Sequence, residues 1–141
     1  MAHAVHIHNY GGPESLSWGG VEVGDPGPGE ARIRQTAIGL NYIDIYHRTG
    51  LYKLRSLPAI IGMEGAGVIE AVGASVCDLK IGDRVAYAGV LGGYAVERLI
   101  PAEKLIKLPK TINDVTAAAI MLQGMTVRYL LRETYSCAAE T

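Results

Sequence analysis

The sequence predicts an α+β domain, rich in strands. Three observations carry that prediction: eighteen glycines among 141 residues, polar–apolar alternation in the first two thirds, and helical spacing confined mainly to the last third. Glycine admits positive φ, so a high count marks tight turns and bulges. Alternation marks half-buried strands. Strands gathered ahead of helices argue against a repeating βαβ fold.

The elements follow in order. Ala4 to His8 reads as a short strand, and Gly11-Gly12-Pro13 turns the chain. Leu16 to Val23 is a second strand, closed by Gly24-Asp25-Pro26-Gly27-Pro28-Gly29. No helix survives that run, because proline lacks the amide donor and glycine costs backbone entropy. Ala31 to Ile38 alternates and reads as a strand. In Asn41 to Arg48, Ile43 and His47 stand four apart, as do Tyr42 and Tyr46, which predicts a short helix. Gly50 would end it in the left-handed conformation.

Gly65 to Val72 reads as a buried strand. A turn at Lys80 to Asp83 launches Arg84 to Ala88, and Gly92-Gly93 sets that strand against Tyr94 to Ile100 as a hairpin. Leu105 to Leu108 is one more short strand. Asn113 or Thr111 then caps a helix over Asp114 to Leu122. Gly124 is expected to interrupt it, with Thr126 to Thr134 resuming and placing Val127, Leu130 and Leu131 on one face. The expected organisation is one domain over residues 1–122 and a helical connection over residues 123–141.

Composition narrows the function. Apolar residues make 49% and charged residues 19%, which fits a globular domain rather than disorder. Net charge is −1 and no run of Lys or Arg occurs, so nucleic acid is not an expected partner. No stretch approaches the apolar length of a membrane span, so no membrane association is expected. The opening Met1 to Gly12 lacks the basic and apolar regions of a secretory signal. Cys77 and Cys137 are isolated and read as reduced thiols. A cytoplasmic location is expected.

The usual chemical motifs are mostly absent. Gly62-Met63-Glu64-Gly65-Ala66-Gly67 has the wrong spacing for a dinucleotide loop and precedes a strand rather than a helix. His6 and His8, two apart on a strand, share a face that could chelate a divalent ion, but no third ligand is evident. They read as surface histidines.

The strongest signal is a set of linked phrases: Gly39-Leu40-Asn41-Tyr42-Ile43-Asp44, Arg48-Thr49-Gly50-Leu51-Tyr52, Leu57 through Ile69, Ile81-Gly82-Asp83-Arg84-Val85, and Gln123 through Leu131. In this order the chain, up to about Ser136, resembles the medium-chain dehydrogenase/reductase superfamily, and within it the zinc-independent quinone oxidoreductase branch. The resemblance implies a GroES-like twisted β-barrel with short helices and a helical C-terminal segment. Full chains of that family run to about twice this length or more, so the chain is expected to be the substrate-side part of a truncated enzyme. It would be inactive without the missing Rossmann domain. The implied cofactor is NADPH and the implied partner a quinone or enone. Enoyl-thioester reduction and a non-catalytic GroES-like fragment are the alternatives.

Zinc is not expected. Where zinc alcohol dehydrogenases of the superfamily carry a catalytic Cys and His, this chain has Asn41 and Met63. An amide and a thioether are poor Zn²⁺ ligands.

By the same resemblance, Asn41, Tyr42, Ile43, Asp44 and Tyr46 lie beside the nicotinamide half of NADPH. Thr126 and Tyr129 join them, with Gln123 bordering the cleft. Asn41, Tyr46 and Tyr52 are the candidate catalytic residues, the tyrosines lining the quinone site. Glu64 is expected to accept hydrogen bonds from backbone or Arg in a buried bend, and Asp83 to be a turn residue. A homodimer or other self-association through apolar C-terminal helices left exposed is expected, or disorder there.

Overall fold

The computed structural model describes residues 1–135. Cys137, read above as a reduced thiol, lies outside the described residues. Among the described residues there are eight strands and two α-helices: β1 (Ala2–Ile7), β2 (Leu16–Val21), β3 (Glu30–Ile38), α1 (Tyr42–Thr49), β4 (Ala59–Ile60), β5 (Glu64–Val72), β6 (Arg84–Ala88), β7 (Glu97–Pro101), β8 (Ile106–Lys107) and α2 (Asp114–Tyr129).

The strands form two sheets. One has the order β2-β1-β4 and the other β7-β3-β5-β6-β8, with every pairing antiparallel. Val5 N–H donates to Tyr94 O and Val96 N–H to His3 O, both at 2.8 Å, so the sheets are stitched along β1. They do not close into a barrel, which corrects the shape the resemblance implied while leaving the α+β, β-rich class intact.

β3 shows why the alternation was informative. Ala31 and Ile33 are fully buried, and the intervening Arg32 and Arg34 point outward. β5 breaks the alternation because it is covered on both faces, and Glu64 to Gly67 are all buried. Gly67 is required there by close approach: a Cβ would overlap the Arg34 carbonyl of β3. One core cluster centres on Ile33, Ile69, Val85, Tyr87 and Ile100. A second joins Ala66 and Ala86 to Ala117 and Ala118 of α2. Small residues on both sides let the helix lie close on the sheet.

Two sequence expectations are corrected. β6 and the segment after Gly92-Gly93 do not form a hairpin. Tyr94 to Val96 instead reach β1, and β7 pairs with β3. The cause is non-local. Gln35 Nε2 donates to the carbonyls of Gly93 (2.7 Å) and Ala95 (2.6 Å), and Tyr87 O–H donates to Gln35 Oε1, which draws the segment across β3. The Arg98 guanidinium then covers the Tyr87 ring, 4.9 Å from its centroid.

The second correction concerns α2, which runs unbroken through Gly124 and across the expected boundary at residues 122 and 123. A glycine in a helix interior costs only about 1 kcal/mol. The N-terminal half outweighs it: Asn113 Oδ1 caps Thr116 N–H at 2.7 Å, and Ala117 and Ala118 are buried. Asp114 adds an anchor. Its carboxylate accepts from Thr36 Oγ1 (2.6 Å) and from Arg84 Nε (2.9 Å). Beyond Tyr129 the chain adopts a wider π-helical turn over Leu130–Thr134. Thr126 to Thr134 is therefore not one regular helix.

Candidate functional site

α1 is set by its first residue. Asn41 takes an extended conformation at the N-cap, and Asp44 Oδ2 reaches back to Asn41 N–H at 2.9 Å. This is the returning half of a capping box. At the far end Gly50 has φ +80°, the left-handed residue the sequence predicts. α1 is thereby held with Tyr42 outward and Asp44 inward.

A cleft of about 720 Å³ opens between α1 and α2. Leu40, Tyr42, Ile43 and Ile45 line it from one side, Leu122 and Val127 from the other. Besides the Tyr42 hydroxyl, the polar side chains lining it are Asn41, Gln123 and Thr126. A mostly apolar slot with a few polar groups is how small planar ligands are held and oriented. Thr126 Oγ1 donates back to Leu122 O at 2.8 Å, so its remaining capacity toward the cleft is as an acceptor.

Beneath the cleft lies Glu64, 1% exposed. Its Oε1 accepts from Asn41 Nδ2 at 2.8 Å and its Oε2 from Leu122 N–H at 2.6 Å. The expectation that Glu64 would take up backbone or Arg donors is met on the backbone side. Its second partner is the Asn41 amide rather than an arginine.

The structure brings Asn41, Tyr42, Ile43 and Thr126 to one cleft, with Gln123 at its edge. It does not bring the other predicted residues there. Asp44 is 3% exposed and turned into the core, where Oδ2 accepts from the Tyr94 hydroxyl at 2.9 Å. Its position is fixed by capping, which needs the carboxylate beneath the helix start. Burial, reinforced by this carboxylate, holds the Tyr94 phenol above the ordinary tyrosine range. Tyr46 and Tyr52 meet edge to face, ring centroids 5.4 Å apart, and the Tyr52 N–H donates to Tyr46 O at 3.1 Å. Neither lines the cleft. Tyr129 stands exposed past the end of the lining residues, nearly a full turn beyond Thr126.

Leu40, Ile45, Leu122 and Val127 were missed as lining residues. The signal was available: residues 122, 123, 126 and 127 share one helical face. Reading Gly124 as a break hid it.

The donor set does not suit zinc. Asn41 turns its amide nitrogen to Glu64 and could offer a metal only its amide oxygen, a poor Zn²⁺ ligand beside thiolate and imidazole. Met63 offers only a thioether. Among the described residues no three of His, Cys, Asp and Glu gather into a possible metal site, and His6 and His8 stand as a pair, ring centroids 6.2 Å apart. Asp83 serves its turn, accepting from Lys80 N–H at 3.0 Å and pairing with Lys107 at 2.8 Å. Cys77 is an exposed free thiol. Among the described residues no helix is long and apolar enough to cross a membrane.

Comparison with known proteins fits this geometry. Residues 27–110 match the family model of the alcohol dehydrogenase GroES-like domain. The quinone oxidoreductase of Pseudomonas aeruginosa is 51% identical over 136 residues, 96% of this chain and 42% of the relative. The 2-haloacrylate reductase of a Burkholderia species is 48% identical over 141 residues, with 42% of its length covered. The crystal structure of Escherichia coli quinone oxidoreductase complexed with NADPH superposes with a TM-score of 0.94 at 44% identity, covering 96% of this chain and 42% of that one. The chain thus spans about two fifths of the length of the relatives it matches. It belongs to the alcohol dehydrogenase GroES-like domain family, in the quinone oxidoreductase branch of the medium-chain dehydrogenase/reductase superfamily.

Proposed function

We propose that the cleft between α1 and α2 receives the nicotinamide half of NADPH, and that the whole protein uses it to reduce quinones. The observation that carries this reading is the convergence of Asn41 and Thr126 on one largely apolar cleft. Apolar walls from Ile43, Leu122 and Val127 would take the ring and exclude water. The Thr126 oxygen, already donating to Leu122 O, is left to accept from the carboxamide N–H. The Asn41 amide would fix the ribose or the reacting carbonyl. The Escherichia coli relative complexed with NADPH supports the choice of cofactor.

Bound NADPH would supply a hydride. The protein's part is then placement, exclusion of water and hydrogen bonds to the oxygen that gains charge. With no fitting zinc ligands at Asn41 and Met63, an acceptor that is already electrophilic suits the site. The Tyr46–Tyr52 pair, which does not line the cleft, has no assigned part in holding it. A second substrate class, electron-poor alkenes, is favoured by the 48% identity to a 2-haloacrylate reductase.

The test is a chimera in which this chain replaces the matching N-terminal segment of the Pseudomonas aeruginosa relative. The expected result is NADPH oxidation driven by para-benzoquinone, with Asn41→Ala lowering kcat/KM by about 100-fold. A folded chimera that is active with neither para-benzoquinone nor a haloacrylate would refute the reading. So would full activity in Asn41→Ala.

A further inference from the structure

Glu64 is nearly inaccessible, and its carboxylate meets two donors. Those donors sit on opposite walls. Asn41 Nδ2, at the start of α1, lies 2.8 Å from Oε1, and Leu122 N–H, in the middle of α2, lies 2.6 Å from Oε2. An interior helix amide ordinarily answers only to the carbonyl four residues back, here Ala118. The space for this arrangement is made by Gly39, where a Cβ would overlap both the Ala118 carbonyl and the Glu64 side chain.

We infer that Glu64 is a positioning residue, which sets the orientation of the Asn41 amide and holds α2 at the width the cleft requires. The chemistry is specific to a carboxylate. An ionised carboxylate offers only acceptors, so one group satisfies two donors facing it from different elements. Engaging one amide proton of Asn41 leaves its other proton and its oxygen for the cleft and the first turn of α1. The same hydrogen bond forbids the reversed amide, which would set oxygen against oxygen. A glutamine of equal size cannot do both tasks, because one of its ends is a donor. The Leu122 amide is fixed in the backbone, whereas the Asn41 amide can turn. Glu64→Gln is therefore expected to keep Leu122 and to reverse Asn41, exchanging the donor and acceptor that Asn41 shows to the cleft.

This inference rests on the proposed nicotinamide site for its consequence, though not for its geometry. The experiment separates the two. The ¹⁵N-labelled chain is observed first without ligand, following the side-chain amide of Asn41. It is then titrated with reduced nicotinamide mononucleotide, the probe throughout. In the native chain one Asn41 amide proton should be strongly shifted by the carboxylate and protected from exchange with water. In Glu64→Gln that proton should lose its shift, and exchange should rise by about tenfold or more. Affinity for the mononucleotide should fall by about tenfold. The melting temperature and the backbone resonances of β3 and β5 report whether the variant folds. A structural role alone would move these and leave the Asn41 side chain in its native orientation.

Should Glu64→Gln fail to fold, the double variant Asn41→Asp with Glu64→Gln restores a donor–acceptor pair. The introduced glutamine amide then donates to the introduced aspartate, and the double variant should be more stable than Asn41→Asp alone. An unshifted, freely exchanging Asn41 amide in the native chain would overturn the inference. So would a folded Glu64→Gln with native Asn41 resonances and native affinity, or a double variant no more stable than Asn41→Asp. Loss of mononucleotide binding in the native chain, with the Asn41 amide protected as expected, would refute the nicotinamide site and leave the positioning role standing.

Discussion

The hydroxyl of Tyr94 donates to Oδ2 of Asp44 across 2.9 Å, joining residues fifty apart in the chain. The same oxygen accepts the Asn41 N–H that starts α1. The helix that carries the cleft's first wall is thus pinned from below by the loop preceding β7. Removing the hydroxyl leaves a buried carboxylate with one donor fewer. Tyr94→Phe should cost about 1–3 kcal/mol of stability, measured by urea unfolding. No loss would mean that this bond contributes nothing to holding α1.

Tyr94 also gives a pH signature. Its folded pKa is raised above the ordinary value, by burial first and by Asp44 second. A raised pKa means that the folded state keeps the proton longer. Stability is therefore fully present below the unfolded value of about 10 and lost as pH rises above it. Above pH of about 10 stability should therefore fall less steeply with pH in Tyr94→Phe than in the native chain. An equally steep fall in both would contradict the assignment.

Asp114 works in the opposite direction. Its carboxyl is held below the usual range, mainly by the Thr36 hydroxyl and further by Arg84, with burial opposing. Its contribution is present above the unfolded value of about 3.9 and disappears as pH falls through the lower folded value. Asp114→Asn should cost about 1 kcal/mol at neutral pH once solvent screening is allowed for. It should also flatten acid unfolding below pH of about 4. Acid titration of stability in both proteins checks this.

Gly39 tests the seat of α2. A side chain there meets the Ala118 carbonyl and Glu64, neither of which can withdraw without moving the helix or the strand. Gly39→Ala should destabilise by about 1–3 kcal/mol and shift the Leu122 amide resonance. Native stability would show that the helix seat is looser than described.

The C-terminal apolar face makes a further prediction. Val127, Leu130 and Leu131 are each about half exposed, at 53%, 49% and 47%. Exposed apolar side chains gathered at one end of a chain favour contact with another surface. The chain should self-associate through it, and Leu130→Lys with Leu131→Lys should return it to monomer in sedimentation velocity. A strictly monomeric native chain at high concentration would contradict this.

What the sequence made legible was local. Alternation in Ala31 to Ile38, the four-residue spacing in α1 and the stop at Gly50 each depend on neighbours in the chain. What stayed hidden was decided by distant partners. Tyr94 to Val96 go to β1 rather than to β6 because Gln35, sixty residues before Ala95, holds their loop. Asp44 and Tyr42 looked equivalent, being two apart at a helix start, yet capping buries one and leaves the other 78% exposed. Glu64 was visibly a buried carboxylate, but its partners on two helices could not be read from spacing. Gly124 misled because its small propensity cost was set against an unseen anchor at Asp114.

The most direct measurement is a chemical-shift map of the native chain titrated with reduced nicotinamide mononucleotide. Saturable changes should concentrate at Asn41, Tyr42, Ile43, Leu122 and Thr126 and vanish in Thr126→Val combined with Asn41→Ala. Changes centred on another surface, or none at saturating probe, would contradict the proposed nicotinamide site.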